Sequence, residues 1–340
     1  MKKIIFISLA VIIPIAVIAM LSLLLTQHGI ESTEVWDKID RYSIENVKSL
    51  QMEQDKDFRI LVLSDTQMGA LRSLNNKKAL NLVGELIEDQ RPDLVVTVGD
   101  NVQSIYQGIV VKQFVVKMES LNVPWAVTLG NHDSEYSVDR QWHGNVYESA
   151  QNSLFRMGPA NVDGIGNYQL NIKSPEGETV NSLIMLDSHA KRKYETGRDY
   201  DYIHQNQLEW YKWVTDGLKS ESGHTVPSML FFHIPLIEFQ EAIDDSDTNV
   251  LFGEQNEKVY CAPVSSGLFD LIKELGSTTH IFNGHDHINN LSVMYEGIQM
   301  TYVLKSGPSS YFRKHLQGGT LITIKKDSFE IEVEHIYYQP

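Results

Sequence analysis

His285 and His287 stand one residue apart in Asn283-Gly284-His285-Asp286-His287, directly after the apolar stretch Thr279-His280-Ile281-Phe282. Imidazole is a common metal ligand, and the glycine ahead of the pair lets the backbone turn sharply and aim both rings into one space. Alone, His-x-His says little. Four other stretches, each closing an apolar run, also carry ligand-type residues: Asp65-Thr66-Gln67, Gly99-Asp100-Asn101, Gly130-Asn131-His132-Asp133 and Phe232-His233-Ile234-Pro235. Any one of them would serve as turn and capping residues beside a core histidine. Together they give each strand end one or two ligands for a common site, of the kind that acidifies a bound water.

Such residues need elements to position them. Arg59-Ile60-Leu61-Val62-Leu63 reads as a short buried strand closed by Ser64-Asp65. A helix is predicted over 76–90 from Leu80, Val83 and Ile87, ending at Pro92. Leu94 to Val98 is the next strand, Phe114, Met118 and Leu121 mark a second amphipathic helix, and Trp125 to Leu129 is the third strand. Continuous apolar strands alternating with helices imply a parallel sheet covered on both faces, with ligands outside the carboxyl ends of the strands. The polar stretch 135–166, with Tyr136, Trp142, Tyr147 and Phe155, is expected to form loops and helices walling the site. Strands follow at 168–172, 181–186 and 228–232, and helices at 208–218 and 267–275. Residues 300–304, 319–325 and 329–336 alternate and suggest antiparallel strands. Asp244-Asp245-Ser246-Asp247 lacks the spacing of an EF-hand and reads as a solvated loop.

The chain has 340 residues and is 42% apolar, which suits a packed core. Its formal charge of −15 repels phosphate backbones, so no nucleic acid is expected as a partner. The single cysteine, Cys261, excludes an internal disulfide and a cysteine-based zinc site. Ile4 to Leu25 is almost wholly apolar and follows Lys2 and Lys3, while acidic sequence begins at Glu31. That is the length and charge pattern of a single-pass membrane anchor with a cytoplasmic N-terminus and an extracytoplasmic remainder. The alternative is a cleaved signal peptide and a secreted product. The organisation expected is an anchor over 1–28, a tether and lead-in over 29–57, and a catalytic domain over 58–340.

Over residues 58 to 338 the motifs resemble the calcineurin-like metallophosphoesterases, whose order is Asp-x-His, Gly-Asp, Gly-Asn-His-Asp/Glu, His, Gly-His-x-His. Phe231-Phe232-His233-Ile234-Pro235-Leu236, Ser265-Ser266-Gly267-Leu268-Phe269, Leu186-Asp187-Ser188 and Gln207-Leu208-Glu209-Trp210 are similar to the short branch related to purple acid phosphatases. The resemblance implies an α/β fold, a four-layer αββα sandwich of two mixed sheets flanked by helices. It implies two divalent metals (Mn, Fe or Zn) and a phosphate-ester substrate, hydrolysed through a hydroxide bridging the metals. Asp100 would bridge, Asp65, Gln67 and His287 would hold the first metal, and Asn131, His233 and His285 the second. His132 would protonate the leaving group, with Asp133 either orienting it or capping a helix. His143, His189, His204, His224, His280, His315 and His335 are expected to be structural.

Two positions depart from the pattern. Gln67 stands where the usual residue is His, so the first metal is expected to bind more weakly, through an amide oxygen. Gln103 stands where purple acid phosphatases place an iron-binding tyrosine and Ser/Thr phosphatases an aspartate, so neither ferric iron nor protein-phosphatase chemistry is implied. A non-catalytic metal-binding module of the same fold is the competing reading.

Overall fold

The computed structural model describes residues 27–339. Its strands are β1 (Ser49–Gln51), β2 (Phe58–Leu63), β3 (Leu94–Val98), β4 (Trp125–Thr128), β5 (Tyr168–Lys173), β6 (Thr179–Met185), β7 (Lys191–Tyr194), β8 (Gly197–Tyr200), β9 (Ser228–Phe231), β10 (Asn249–Phe252), β11 (Thr278–Asn283), β12 (Ser292–Tyr295), β13 (Ile298–Tyr302), β14 (Gly318–Ile324) and β15 (Ile331–Tyr337). The helices are α1 (Ser73–Gln90), α2 (Gln107–Ser120), α3 (Arg140–Glu148), α4 (Gln205–Ser222), α5 (Ile237–Asp244) and α6 (Leu268–Leu275). One sheet has five strands in the order β15-β14-β2-β3-β4, the other eight in the order β1-β5-β6-β9-β11-β13-β12-β10, and β7-β8 is a separate hairpin. Both large sheets are mixed. Strands β2, β3 and β4 are parallel, as their alternation with α1 and α2 requires, while β14 runs antiparallel to β2.

The layering follows from side-chain alternation. Leu183, Met185, Met229, Phe231 and Phe282 of the eight-stranded sheet share one core with β2–β4 and with Leu82, Val83, Val110 and Phe114 of α1 and α2. Their neighbours Ile184, Leu186, Leu230, Phe232 and Ile281 face the other way, into a second core with Leu208, Val214 and Leu218 of α4 and Phe269 and Ile272 of α6. One face of each sheet therefore packs on the other sheet, and helices cover both outer faces. This is the expected four-layer αββα sandwich.

Three expectations change. Residues 29–57 are not a tether apart from the body: β1 extends the eight-stranded sheet parallel to β5, and buried Tyr42 donates a 2.9 Å hydrogen bond to Gln169 Oε1. A three-residue strand is too short to show a period, so the sequence concealed it. Second, β13 pairs parallel with β11 as well as antiparallel with β12. Third, β7, β8, β10, β12 and α5 were not anticipated; the first three of these strands are exposed or half-exposed, with no buried face to impose alternation. The apolar run 4–25 lies outside the described residues. Among the described residues no helix is long and apolar enough to cross a membrane.

Candidate active site

The five motifs all follow the carboxyl ends of parallel strands: Asp65 after β2, Asp100 after β3, Asn131 after β4, His233 after β9 and His285 after β11. The two sheets thus deliver their loops to one place. Asp65, Gln67, Asp100 and His285 all have positive φ, at 55°, 43°, 51° and 75°. Non-glycine residues adopt this region at a cost, and its concentration here marks a functional site. The turn in the histidine motif is made by His285 rather than by Gly284. Gly284 serves close approach instead, because a Cβ there would collide with Ser64 Oγ and Asp65 Oδ2.

Two groups of ligand atoms result, Asp100, His233 and His285 in one and Asp65, Asp100 and His287 in the other, all buried, with Asp100 common to both. His233 gives its Nδ1 proton to Val98 O at 2.7 Å, which turns its Nε2 toward Asp100 Oδ2 at 3.3 Å. His285 Nδ1 lies 3.3 Å from that same Nε2. His287 gives its Nδ1 proton to Tyr311 O at 3.1 Å and is stacked on the Tyr311 ring at 4.2 Å, and its Nε2 lies 3.2 Å from Asp65 Oδ1. Tyr200 covers His285 edge-on at 4.5 Å.

Burial alone would raise both carboxylates. At Asp65 the neighbouring His287 and His233 outweigh it, at Asp100 His233 and His132 do, and both stay ionised well below the usual range. Burial pushes His285 down to about 3, so it is neutral. For His233 burial is outweighed by Asp100, and its pKa rises to about 9, so a proton must leave if a metal is to bind there.

Buried polar atoms without partners test whether a metal fits. Asn131 Oδ1 and His285 Nε2 are both buried without a hydrogen-bond partner, and Asp65 Oδ1 has only the His287 ring beside it, at 3.2 Å. Buried polar groups are rarely left so. Two imidazoles, once His233 has given up its proton, with a carboxylate and the Asn131 amide oxygen suit a divalent ion at Asp100, His233 and His285.

At the second group Gln67 does not present the expected oxygen. Its Oε1 accepts from Lys305 Nζ at 2.9 Å, and Lys305 also donates to Asp65 O at 2.8 Å. The amide nitrogen faces the ligands, 3.1 Å from His287 Nε2 and 3.4 Å from Asp100 Oδ2. Lys305 is 2% exposed; burial lowers its pKa to about 8 against the opposing pull of Asp65 and Asp100, leaving a cation at neutral pH. Sequence reading missed Lys305, although it closes the apolar run Tyr302-Val303-Leu304 as the other motif residues close theirs.

His132 sits beside these groups, its backbone N–H donating to Asp100 Oδ1 at 2.8 Å and its ring Nε2 3.9 Å from Asp100 Oδ2. Asp133 does not orient it. The Asp133 carboxylate accepts from Gly130 N at 2.9 Å and Val102 N at 3.1 Å, so it ties the loops after β3 and β4 together. The carboxylate on the ring is Glu135, at 2.6 Å from Nδ1, while Gln103 Nε2 lies 3.3 Å from both ring nitrogens. Burial lowers the His132 pKa, but Asp100 and Glu135 more than offset it, and the result is raised above the ordinary histidine value. Among the other histidines, burial lowers His143 to about 3 and His280 and His335 to about 4. His189 stacks on His204 at 4.2 Å and hydrogen-bonds Gln207 Oε1.

Paired ligand groups at the carboxyl ends of two facing sheets, with an acid-type histidine alongside, define a metallohydrolase-like centre. Residues 58–289 match the calcineurin-like phosphoesterases, and the chain belongs to that family. It is 28% identical over 300 residues to "Probable inactive purple acid phosphatase 14" of Arabidopsis thaliana, covering 78% of this chain and 74% of that one. "Phosphatase DCR2" of Saccharomyces cerevisiae is 30% identical over 271 residues, 71% of this chain and 46% of that protein. A solved dimetal phosphatase from Danio rerio superposes with a TM-score of 0.51 at 12% identity, covering 81% of this chain and 98% of that one, a likeness of fold.

Proposed function

We propose that the protein is a metal-dependent phosphoesterase in which His132 is the proton donor. The observation that carries this reading is the placement of the His132 ring, tied through its backbone to Asp100 and through Nδ1 to Glu135, yet outside both ligand groups. A divalent ion, when bound, supplies Lewis acidity toward a phosphoryl oxygen and lowers the pKa of water. Asp100, Asn131, His233 and His285 would hold it. The buried strand ends exclude bulk water from the rear of the site. His132, kept protonated by two carboxylates, delivers its proton to the departing alkoxide, and Glu135 holds the ring's far nitrogen.

The purified full-length chain, stripped with chelator and reloaded with Mn²⁺, Fe²⁺ or Zn²⁺, is expected to hydrolyse p-nitrophenyl phosphate or its bis-ester only in the reloaded state. Bound metal without turnover of either ester would favour the second reading, a non-catalytic metal-binding module. The orientation of Gln67 is the observation on that side, together with the word "inactive" in the name of the Arabidopsis relative.

We also infer that the activity lies outside the cytoplasm, held by the apolar run 4–25 behind Lys2 and Lys3. Protease added to intact cells whose outer barrier has been opened should remove the catalytic body. Protection equal to that of a cytosolic marker would exclude this location.

A further inference from the structure

We propose that Gln67 and Lys305 together take the place of one metal ion, so that the centre holds a single tightly bound ion, at Asp100, Asn131, His233 and His285. The inference rests on the metal-binding reading of the site and concerns how many ions it takes.

The polarity of the hydrogen bonds carries it. The Lys305 ammonium can only donate, and it donates to Asp65 O and Gln67 Oε1. The oxygen of Gln67 is thereby committed, and the group turned to the ligands is an NH₂, which has no lone pair to offer a metal. His287 gives its Nδ1 proton to Tyr311 O, and its Nε2 lies 3.1 Å from the Gln67 amide nitrogen and 3.2 Å from Asp65 Oδ1. The amide nitrogen is also 3.4 Å from Asp100 Oδ2. The Gln67 amide nitrogen thus stands against two of the three side chains that would face an ion at Asp65, Asp100 and His287. Behind it, the buried Lys305 holds the Gln67 oxygen and the Asp65 carbonyl, which keeps the amide nitrogen turned to the ligands. No such amide or ammonium donor meets Asn131 Oδ1 or His285 Nε2, both of which are buried without a partner.

Gln67→Glu tests the arrangement with almost no change of shape. One carboxylate oxygen keeps the Lys305 hydrogen bond, and the other replaces the NH₂ with a ligand. The native protein, dialysed against Mn²⁺ and counted by plasma mass spectrometry, should retain one ion per chain and give the paramagnetic resonance spectrum of an isolated ion. Gln67→Glu should retain two and show an exchange-coupled pair, the second ion tightening by roughly 10–100-fold, the size of effect that partners of metal ligands exert. Two ions of similar affinity in the native protein would overturn the proposal, with no variant needed. One ion in both proteins would overturn the role given to Gln67 and Lys305 while leaving the metal site in place. No ion in either would remove the metal-binding reading along with it. Failure to hydrolyse esters, with counts of one and two, would remove only the catalytic reading.

Discussion

Replacing His132 by alanine should leave the metal content unchanged and lower turnover by roughly 10²–10⁴-fold, the range for loss of a positioned general acid. The ring lies outside both ligand groups, so an ion at Asp100, His233 and His285 does not depend on it. The deficit should shrink along a series of phosphate esters with progressively better leaving groups, which depart without a proton. An equal deficit across the series would assign His132 to binding instead. Glu135 supplies a second measurement. The protonated ring is the active form of an acid, so the rate falls as pH rises through the His132 pKa. That pKa is raised because Asp100 and Glu135 outweigh burial. Glu135→Gln removes one of these charges and should move the alkaline limb of kcat/KM to lower pH. An unmoved limb would show that Glu135 does not govern the acid.

The largest loss of stability is expected from Asp187→Ala. Asp187 is fully buried and bonds Arg140 through Nη2 and, at 2.9 Å, through Nε, while accepting from Ile165 N and His189 N at 2.8 Å each. Alanine would leave a guanidinium that is 15% exposed without its partner, and breaking such a buried pair costs about 3–5 kcal/mol. Urea denaturation measures it; a loss under about 1 kcal/mol would rank the pair with surface ion pairs. Burial raises the Asp187 pKa, but Arg140 outweighs it and the net shift is downward. A depressed carboxylate contributes stability that is complete above its unfolded pKa and lost as pH falls through the folded one, so the stability advantage of the native protein over Asp187→Asn should be full at neutral pH and shrink on acidification. The pair also reaches the site: Arg140 Nη1 donates to Gly130 O at 3.0 Å, beside Asn131 and His132. Metal affinity should therefore fall with stability in the same variant.

The sequence by itself determined the strands that end on ligands and the residues at those ends. The cause is physical: a buried parallel strand must be apolar throughout, so the polar residue that closes it stands out, and five of these, Asp65, Asp100, His233, His285 and His287, form two groups sharing Asp100, with His132 bonded to Asp100 through its backbone. It also determined a parallel sheet covered by helices, because apolar strands alternating with amphipathic helices admit few topologies, while the four-layer arrangement was what the family resemblance implied. What only the tertiary structure decided is how side chains from distant segments divide the work. Glu135, not Asp133, meets the His132 ring, since Asp133 is drawn inward to two backbone N–H groups. Gln67 reads as an oxygen ligand until Lys305, 238 positions away, claims that oxygen and turns the nitrogen toward the site. An amide offers a donor at one end and an acceptor at the other, and its own segment does not fix which end faces which way. The choice belongs to the partner that can only donate, and packing alone brought that partner there.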